Sequence, residues 1–533
     1  MCNRIALQRN AGYSKAGMWG IVNLRFRVFT LLLSMSAIAV GGCASVYNLP
    51  ANRPLLSPVP VQDVGRMDPS FDDDVLLMLS FSGGGTRAAA FSFGVLQELD
   101  HARSGSKSAK SLLDRVDYVS GVSGGSITAA YFGLKQRAAL ADFRERFLLR
   151  NAEENLKTAV TLANIGRALN GGVNDNQFPR WLDENLFDGA TFDAFAAGHR
   201  PRVWINASDI YNRTPFVFGP VAFDALCSDI RSYKIADAVA ASAAVPLAFA
   251  PIVLETFPGG CSTRLPDWIE RARHNPDAQP LLRSFAESTA RYHDGSMKYV
   301  KLLDGGLVDN FGLSGFSIGI LAAQRGHDPM TEKQAVRVRR ILFLVVDAGR
   351  GLSGNWANSL DGPSGTELVA AAADTAIDAS VRLSYAAFST LLAEWSAKVR
   401  RWRCALSPAD RARLGVPAGW NGDGACLPTR CSIRIDRSCT TCAAPVQNGE
   451  RSMQAARAAQ ARSRSNPIIS VSRGTHGEGP RDGRICGSFI DHSSASLKRY
   501  QAIAVALAAI DGPGTLLFER SGLLRGVWHG HLG

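Results

Sequence analysis

The chain has 533 residues, 46% hydrophobic and 20% charged, with 59 Lys and Arg against 47 Asp and Glu and so a formal charge of +12. Such a mixture can bury a core, which excludes a disordered chain, a collagen-like fibre and a polytopic membrane protein. The length admits three or four domains or one large α/β unit with insertions, and the positive balance invites a nucleic-acid partner until the charge is located.

Residues 1–42 carry Arg4, Arg9, Lys15, Arg25 and Arg27 and no acidic side chain. An apolar run from Val28 to Val40 follows the last of these, then Gly41-Gly42-Cys43-Ala44-Ser45. A basic start, about a dozen apolar residues and small residues at the end read as a secretory signal. The run is too short for a hydrocarbon core that takes about 20 residues. Val40-Gly41-Gly42-Cys43 resembles the lipobox of bacterial lipoproteins. That resemblance implies an exported protein lipidated at Cys43, and the lack of Asp after Cys43 implies anchoring at the outer membrane. An ordinary signal peptide or a short membrane anchor is the alternative, and Met18 competes with Met1 as the start. Removing the segment takes five of the twelve excess positive charges and leaves +7, which suits work beside anionic lipid better than binding along nucleic acid.

Eight cysteines then remain beyond Cys2 and Cys43: Cys227, Cys261, Cys404, Cys426, Cys431, Cys439, Cys442 and Cys486. An even number in an exported chain favours disulfides, whose pairing the sequence leaves open. A zinc knot of Cys426, Cys431, Cys439 and Cys442 is the weaker reading in an oxidising compartment.

Residues 43–74 read as a tether, because 46–70 hold five prolines and little periodicity. From 75 to 350 short apolar runs alternate with helical patterns. Strands are expected at Val75–Phe81, Val116–Ser120, Arg202–Asn206, Lys301–Leu303 and Ile341–Val346, with helices over Thr86–Leu99 and from about Ser126. This alternation argues for an α/β fold with a largely parallel sheet, whose ligands lie beyond the carboxyl ends of the strands. The extension from 351 to 533 reads as helical and cysteine-rich. Val381, Tyr385, Phe388, Leu392 and Trp395 form the stripe of a long helix, taken as core packing and not as a lipid groove. Residues 404–486 are expected to substitute disulfides for core, residues 454–465 to be an exposed helix or loop, and Leu497–Ile510 to be a closing helix.

Three segments carry chemistry. Ser82-Gly83-Gly84-Gly85-Thr86-Arg87 follows a strand and opens a helix, where backbone N–H groups and the helix N-terminus suit an anion or oxyanion. No Gly-Lys-Ser/Thr ends it, so it is not a P-loop, and Ala88 stands where a dinucleotide fingerprint wants glycine. Gly121-Val122-Ser123-Gly124-Gly125 has the strand–G-x-S-x-G–helix form of a nucleophile elbow. Ser120 and Ser126, outside its centre, are expected to cap or pack. In the third, Leu302-Leu303-Asp304-Gly305-Gly306-Leu307-Val308-Asp309-Asn310, an apolar run delivers Asp304 to a strand end, whereas Asp294-Gly295 reads as a plain turn. Arg87 at a helix N-terminus is opposed by the dipole by about 0.3–1 kcal/mol, which favours structural pairing over a grip on an anionic headgroup.

The order G-G-G-x-R, G-x-S-x-G, D-G-G resembles the patatin-like phospholipase family, and Ala241-Ser242-Ala243-Ala244-Val245-Pro246 with Phe249 is similar to the family's A-S-x-A-x-P-x-x-F segment. The resemblance covers about 75–350. It implies a three-layer α/β/α sandwich and a Ser-Asp dyad for lipid acyl hydrolysis. Ser123 would be the nucleophile and Asp304 the general base. The loop of Gly83, Gly84, Gly85, Thr86 and Arg87 would supply the oxyanion hole, from the amides around Gly84, Gly85 and Thr86. Gly121, Gly125, Gly305 and Gly306 support the turns. Family members usually have glycine where this chain has Ala88, which keeps the N–H but resists positive φ. Neither metal nor cofactor is expected, and the implied partner is membrane lipid or phospholipid, not nucleic acid. Two rivals stand: a Ser-His-Asp triad using His476 or His492, and a lipoprotein that keeps the fold only to bind lipid in envelope assembly.

Overall fold

The structure is a computed structural model that describes residues 49–56, 75–102, 111–152, 177–195, 200–246, 249–260, 264–349, 356–358, 360, 362–416, 502–509 and 517–519. The signal, Cys43, residues 454–465, the cysteines proposed for a zinc knot, His476 and His492 lie outside the described residues. All described residues belong to one of the two units of the chain, Met1–Ala425 with Arg499–Gly533.

Among the described residues nine strands make one sheet: β1 Val75–Phe81, β2 Val116–Val122, β3 Arg202–Asp209, β4 Thr214–Phe218, β5 Ile252–Glu255, β6 Tyr299–Asp304, β7 Arg340–Asp347, β8 Ala502–Ala509 and β9 Leu517–Glu519. Their order is β5-β6-β3-β2-β1-β7-β8-β9, with β4 paired to β3. The centre, β3-β2-β1-β7, is parallel, and every pairing outside it is antiparallel. The helices that matter for the site are α1 Gly85–His101, α2 Gly124–Lys135, α3 Ile235–Ser242, α4 Asp267–His274, α5 Pro280–His293, α6 Ser314–Leu321 and α7 Gly365–Cys404.

The period-two rule of a strand divides β1 between two cores. Leu77, Leu79 and Phe81 join Phe93, Leu96, Ile127 and Val239, that is α1, α2 and α3, on one face. Leu76 and Met78 join Phe316 of α6 and Phe388, Leu392 and Trp395 of α7 on the other. With both faces covered, the central strands are buried throughout: β2 is buried at all 7 residues, as the continuous apolar runs of parallel strands require. A smaller cluster ties Ile269 of α4 to Phe285 of α5 and Ile318 of α6. This is the three-layer arrangement that the resemblance implies.

Two differences from the sequence reading have physical causes. Leu497–Ile510 is not a closing helix: Ala502–Ala509 is a strand, paired antiparallel to β7 along its full length from Asp347↔Ala502 to Arg340↔Ala509. Alanine propensity, a weak preference, yields there to the ladder that β7 offers. Residues 49–56, within the stretch read as a tether, lie against the body. Asn52 is buried, donating to the Ser228 hydroxyl at 3.0 Å and accepting from the Glu255 N–H at 2.8 Å. The stripe on α7 packs as expected, with Phe388, Leu392 and Trp395 buried and Val381 and Tyr385 against them. Of the disulfide candidates, Cys227 and Cys404 are disulfide-bonded.

Candidate active site

β2 delivers Ser123 in a turn that only small neighbours permit. Ser123 has φ 51° and ψ −125° at the N-cap of α2, a conformation that costs a non-glycine residue about 1–3 kcal/mol. A Cβ at Gly121 would lie 2.6 Å from the Ser126 Cα, and one at Gly125 would lie 2.5 Å from the Ser82 carbonyl oxygen. One at Gly124 would lie 1.9 Å from the Gly85 carbonyl oxygen, so the glycines let α2 begin directly against the loop after β1. The turn is held from three sides. The Ser123 N–H donates to the Ser242 hydroxyl at 2.9 Å, that hydroxyl donates to the Asn206 carbonyl at 2.6 Å, and the Ser126 hydroxyl donates to the Ser123 carbonyl at 2.6 Å. Ser120 donates to the Gly312 carbonyl at 2.7 Å. Ser120 and Ser126 therefore do the packing and capping expected of them.

Register brings Asp304 to the same place from another strand. Val122 pairs with Asn206, so Ser123 follows beside Ala207 of β3 on one side. On the other side Asp304 pairs with Ala207. Asp304 does end its strand, and β6 runs antiparallel to β3, outside the parallel centre of the largely parallel sheet that the sequence predicts. Its N–H donates to the Ala244 carbonyl at 2.9 Å, and its carboxylate accepts from the Gly306 N–H at 2.8 Å. Burial pushes the Asp304 pKa up to about 6, against the pull of the Ser123 side chain beside it and of the Gly306 N–H. Gly305 is required because a Cβ there would meet the Asn206 carbonyl oxygen at 2.3 Å. Asp294-Gly295 is the turn expected, with the Ser296 N–H on the Asp294 carboxylate at 2.9 Å.

The glycine loop completes the site. Gly84 has φ 141° and Gly85 φ 64°, and α1 starts at Gly85 with no side-chain cap on Gly84 and no acidic residue in its first turn. The first N–H groups of a helix lack intrahelical partners, and Gly85 and Thr86 are exposed. Gly83 acts differently. Its N–H is committed to the Asn310 carbonyl at 3.0 Å, and its missing side chain lets it approach Ser123, whose Cβ would be 3.3 Å from a Cβ at Gly83. Arg87 folds back to donate to the Ala348 carbonyl beyond β7, near the Asp347 carboxyl, whose pKa burial raises against a pull from Arg87. It is a structural brace, as its place on the helix suggests. Ala88 is buried within α1 and outside the positive-φ residues, so this position does not need the glycine usual in the family.

Ser123, Asp304 and the Gly83–Thr86 loop therefore meet at the end of β2, beside Ala207 of β3. Three further residues belong with them. Ser242 and Asn206 hold the turn of Ser123. The Asn310 side chain fills the gap between Gly83 and Gly306, its Oδ1 only 2.3 and 2.8 Å from where their Cβ atoms would be. Each stands inside a motif segment or on an expected strand, yet no spacing signals a contact between loops so distant in the chain. Two apolar side chains beside the site, Val245 and Leu307, are 45% and 43% exposed. The described histidines make contacts elsewhere: His101 closes α1, His274 is on Glu270, His293 near Cys227, and His327 on Met330. Residues 79–317 match the model of the patatin-like phospholipase family, and no curated protein matches the chain.

Proposed function

Because the chain carries a patatin-like phospholipase domain over residues 79–317 and so belongs with lipid acyl hydrolases in general, we propose that it cleaves acyl esters of membrane lipid through Ser123 and Asp304. The observation that carries this reading is Ser123, held in a strained turn after β2, beside a buried carboxyl whose pKa is pushed up to about 6. A carboxyl so raised is a better proton acceptor near neutrality than an ordinary one, while still ionised above that value. Ser123 Oγ attacks the ester carbonyl carbon as its proton passes to Asp304. The negative charge that develops on the carbonyl oxygen is received by the backbone N–H groups at the start of α1, each donor worth about 2.7–4 kcal/mol in such sites. Collapse breaks the ester C–O bond and the leaving alcohol takes the proton from Asp304. Water, deprotonated by Asp304, then releases the acyl chain from Ser123.

The lipid anchor belongs to the same proposal. Lipidation at Cys43 would hold the domain at a bilayer whose components are its substrates, and the exposed Val245 and Leu307 offer apolar contact beside the site. The decisive experiment is product analysis on a mixed envelope-lipid extract, wild type against Ser123→Ala. Free fatty acid and a deacylated lipid from the wild type alone support the reading. Equal release by Ser123→Ala overturns it. Labelling of Ser123 by a fluorophosphonate separates an enzyme from a lipid-binding relic of the fold.

A further inference from the structure

The last turn of α3 and the residues after it touch both members of the proposed pair. The Ser242 hydroxyl accepts the Ser123 N–H at 2.9 Å, and two residues later the Ala244 carbonyl accepts the Asp304 N–H at 2.9 Å. Ser242 is fully buried, and its proton goes to the Asn206 carbonyl at 2.6 Å. Asn206 is itself tied to β2, its side-chain N–H₂ donating to the Gly121 carbonyl at 2.9 Å and the Ser120 hydroxyl at 2.8 Å. The ring of hydrogen bonds is thus closed: β2 to Asn206, Asn206 to Ser242, Ser242 back to Ser123, the residue that follows β2. The Asp304 turn leans on the same carbonyl, since a Cβ at Gly305 would come within 2.3 Å of the Asn206 oxygen.

We propose that Ser242 is a positioning residue that sets the spacing between Ser123 and Asp304, the Ala244 carbonyl being the second arm of one clamp. The proposal rests on the Ser-Asp reading above. An alcohol is needed at this point because it must accept from one backbone group and donate to another. Alanine would leave a buried N–H and a buried carbonyl without partners, and the positive φ of Ser123 would lose the bond that opposes its relaxation. The distance from Ser123 Oγ to the Asp304 carboxylate would then grow. The titration of Asp304 reports this distance, because burial raises its value and only the Ser123 side chain and the Gly306 N–H pull against it. The neighbouring buried carboxylate, Asp309, is turned to the N–H groups of Phe311 and Ser314 at 3.2 and 2.6 Å.

The test uses the full chain, a soluble p-nitrophenyl butyrate substrate and a fluorophosphonate probe on wild type, Ser242→Ala and Ser242→Cys. Cysteine keeps the volume with a much weaker acceptor, so it serves should alanine fail to fold. The expected result for each folded variant has three parts: kcat about 10- to 100-fold lower with KM within about twofold, fluorophosphonate labelling slowed by a similar factor, and the acid limb of kcat/KM moved to higher pH. Wild-type kcat, labelling and acid limb in the folded variants would overturn the proposal, as would a lower kcat with an unmoved acid limb. If the wild type itself neither turns over the ester nor reacts with the probe, the Ser-Asp reading has failed, and the clamp with it.

Discussion

A carboxylate with the ordinary aspartate value of 3.8 is a poor base near neutrality, and Asp304 departs from it because its strand ends in a buried turn. The sign of that shift has two consequences. The neutral form is favoured by the fold, so its contribution to stability is fully present below pH 3.8 and is lost as the pH rises through about 6. At pH 8 the ionised group therefore costs on the order of 2–3 kcal/mol, the value of a shift of about two pH units. Asp304→Asn keeps an oxygen for the Gly306 N–H and carries no charge. It should unfold at a higher temperature than the wild type at pH 8, with the gap closing by about pH 3.5, while ester turnover disappears. A thermal scan at the two pH values checks the first part, and equal melting at pH 8 would refute the burial argument. The second consequence is kinetic: kcat/KM for a soluble ester should fall by about tenfold per pH unit below about 6 as Asp304 takes up its proton. Ser123 and Asp304 are legible in the sequence because each closes an apolar run with glycines. Ser242 and Asn310 are not, since a serine among alanines and an asparagine after a turn look ordinary until the loops meet.

At the scale of elements, the site is an assembly of close backbone approaches, and its glycines are of two kinds. Gly124 is of the first kind, with no room for a Cβ against the Gly85 carbonyl oxygen 1.9 Å away. Both atoms belong to main chain that also positions the first turns of α1 and α2. Gly124→Ala should therefore push the serine turn off the glycine loop, costing about 3 kcal/mol and most of the activity together. Gly94, in the middle of α1, is of the second kind, with nothing within 4 Å of a methyl placed there. Gly94→Ala should leave activity intact and stabilise by about 0.5–1 kcal/mol through helix propensity. Urea unfolding and ester turnover on the two variants give opposite results if the distinction holds, and a harmless Gly124→Ala would remove the close approach from the account. The strands and helices around these glycines are legible because buried parallel strands read as unbroken apolar runs. The strand at 502–509 reads as a helix although Ile503, Val505 and Leu507 alternate with alanine, because the pattern alone does not say that β7 lacks a neighbour on that side.

For the whole molecule, the proposed catalytic pair lies in a sheet whose second face is covered by a helix far along the chain. Phe388 of α7 packs edge-on against Phe343 with ring centres 4.8 Å apart, and the Trp395 indole N–H donates to the Asp328 carbonyl at 2.7 Å. At the far end of the helix the Arg403 side chain, 2% exposed, donates to the carbonyls of Ala335 and Val338, just before β7 begins. The spacing of the apolar stripe announces this helix but not the surface it covers, because a period of 3.6 defines a face and not its partner. Arg403 carries no periodic signal at all, and an arginine in the last turn of a helix ordinarily faces water with the dipole in its favour. Its burial makes it a latch. Removing the guanidinium leaves two buried carbonyls without donors, at about 1–3 kcal/mol each, so Arg403→Met should lower stability by several kcal/mol. Lysine offers a compact ammonium in place of a planar fork and should restore only part of the loss. Because the latch holds the covering helix and not the turn of Ser123, kcat/KM of the folded fraction should stay within about twofold of wild type. Denaturant unfolding followed alongside turnover decides it: a stable Arg403→Met enzyme with depressed kcat/KM would mean that the second face of the sheet reaches the site, and a destabilised enzyme with normal kcat/KM would confine α7 to holding the sheet.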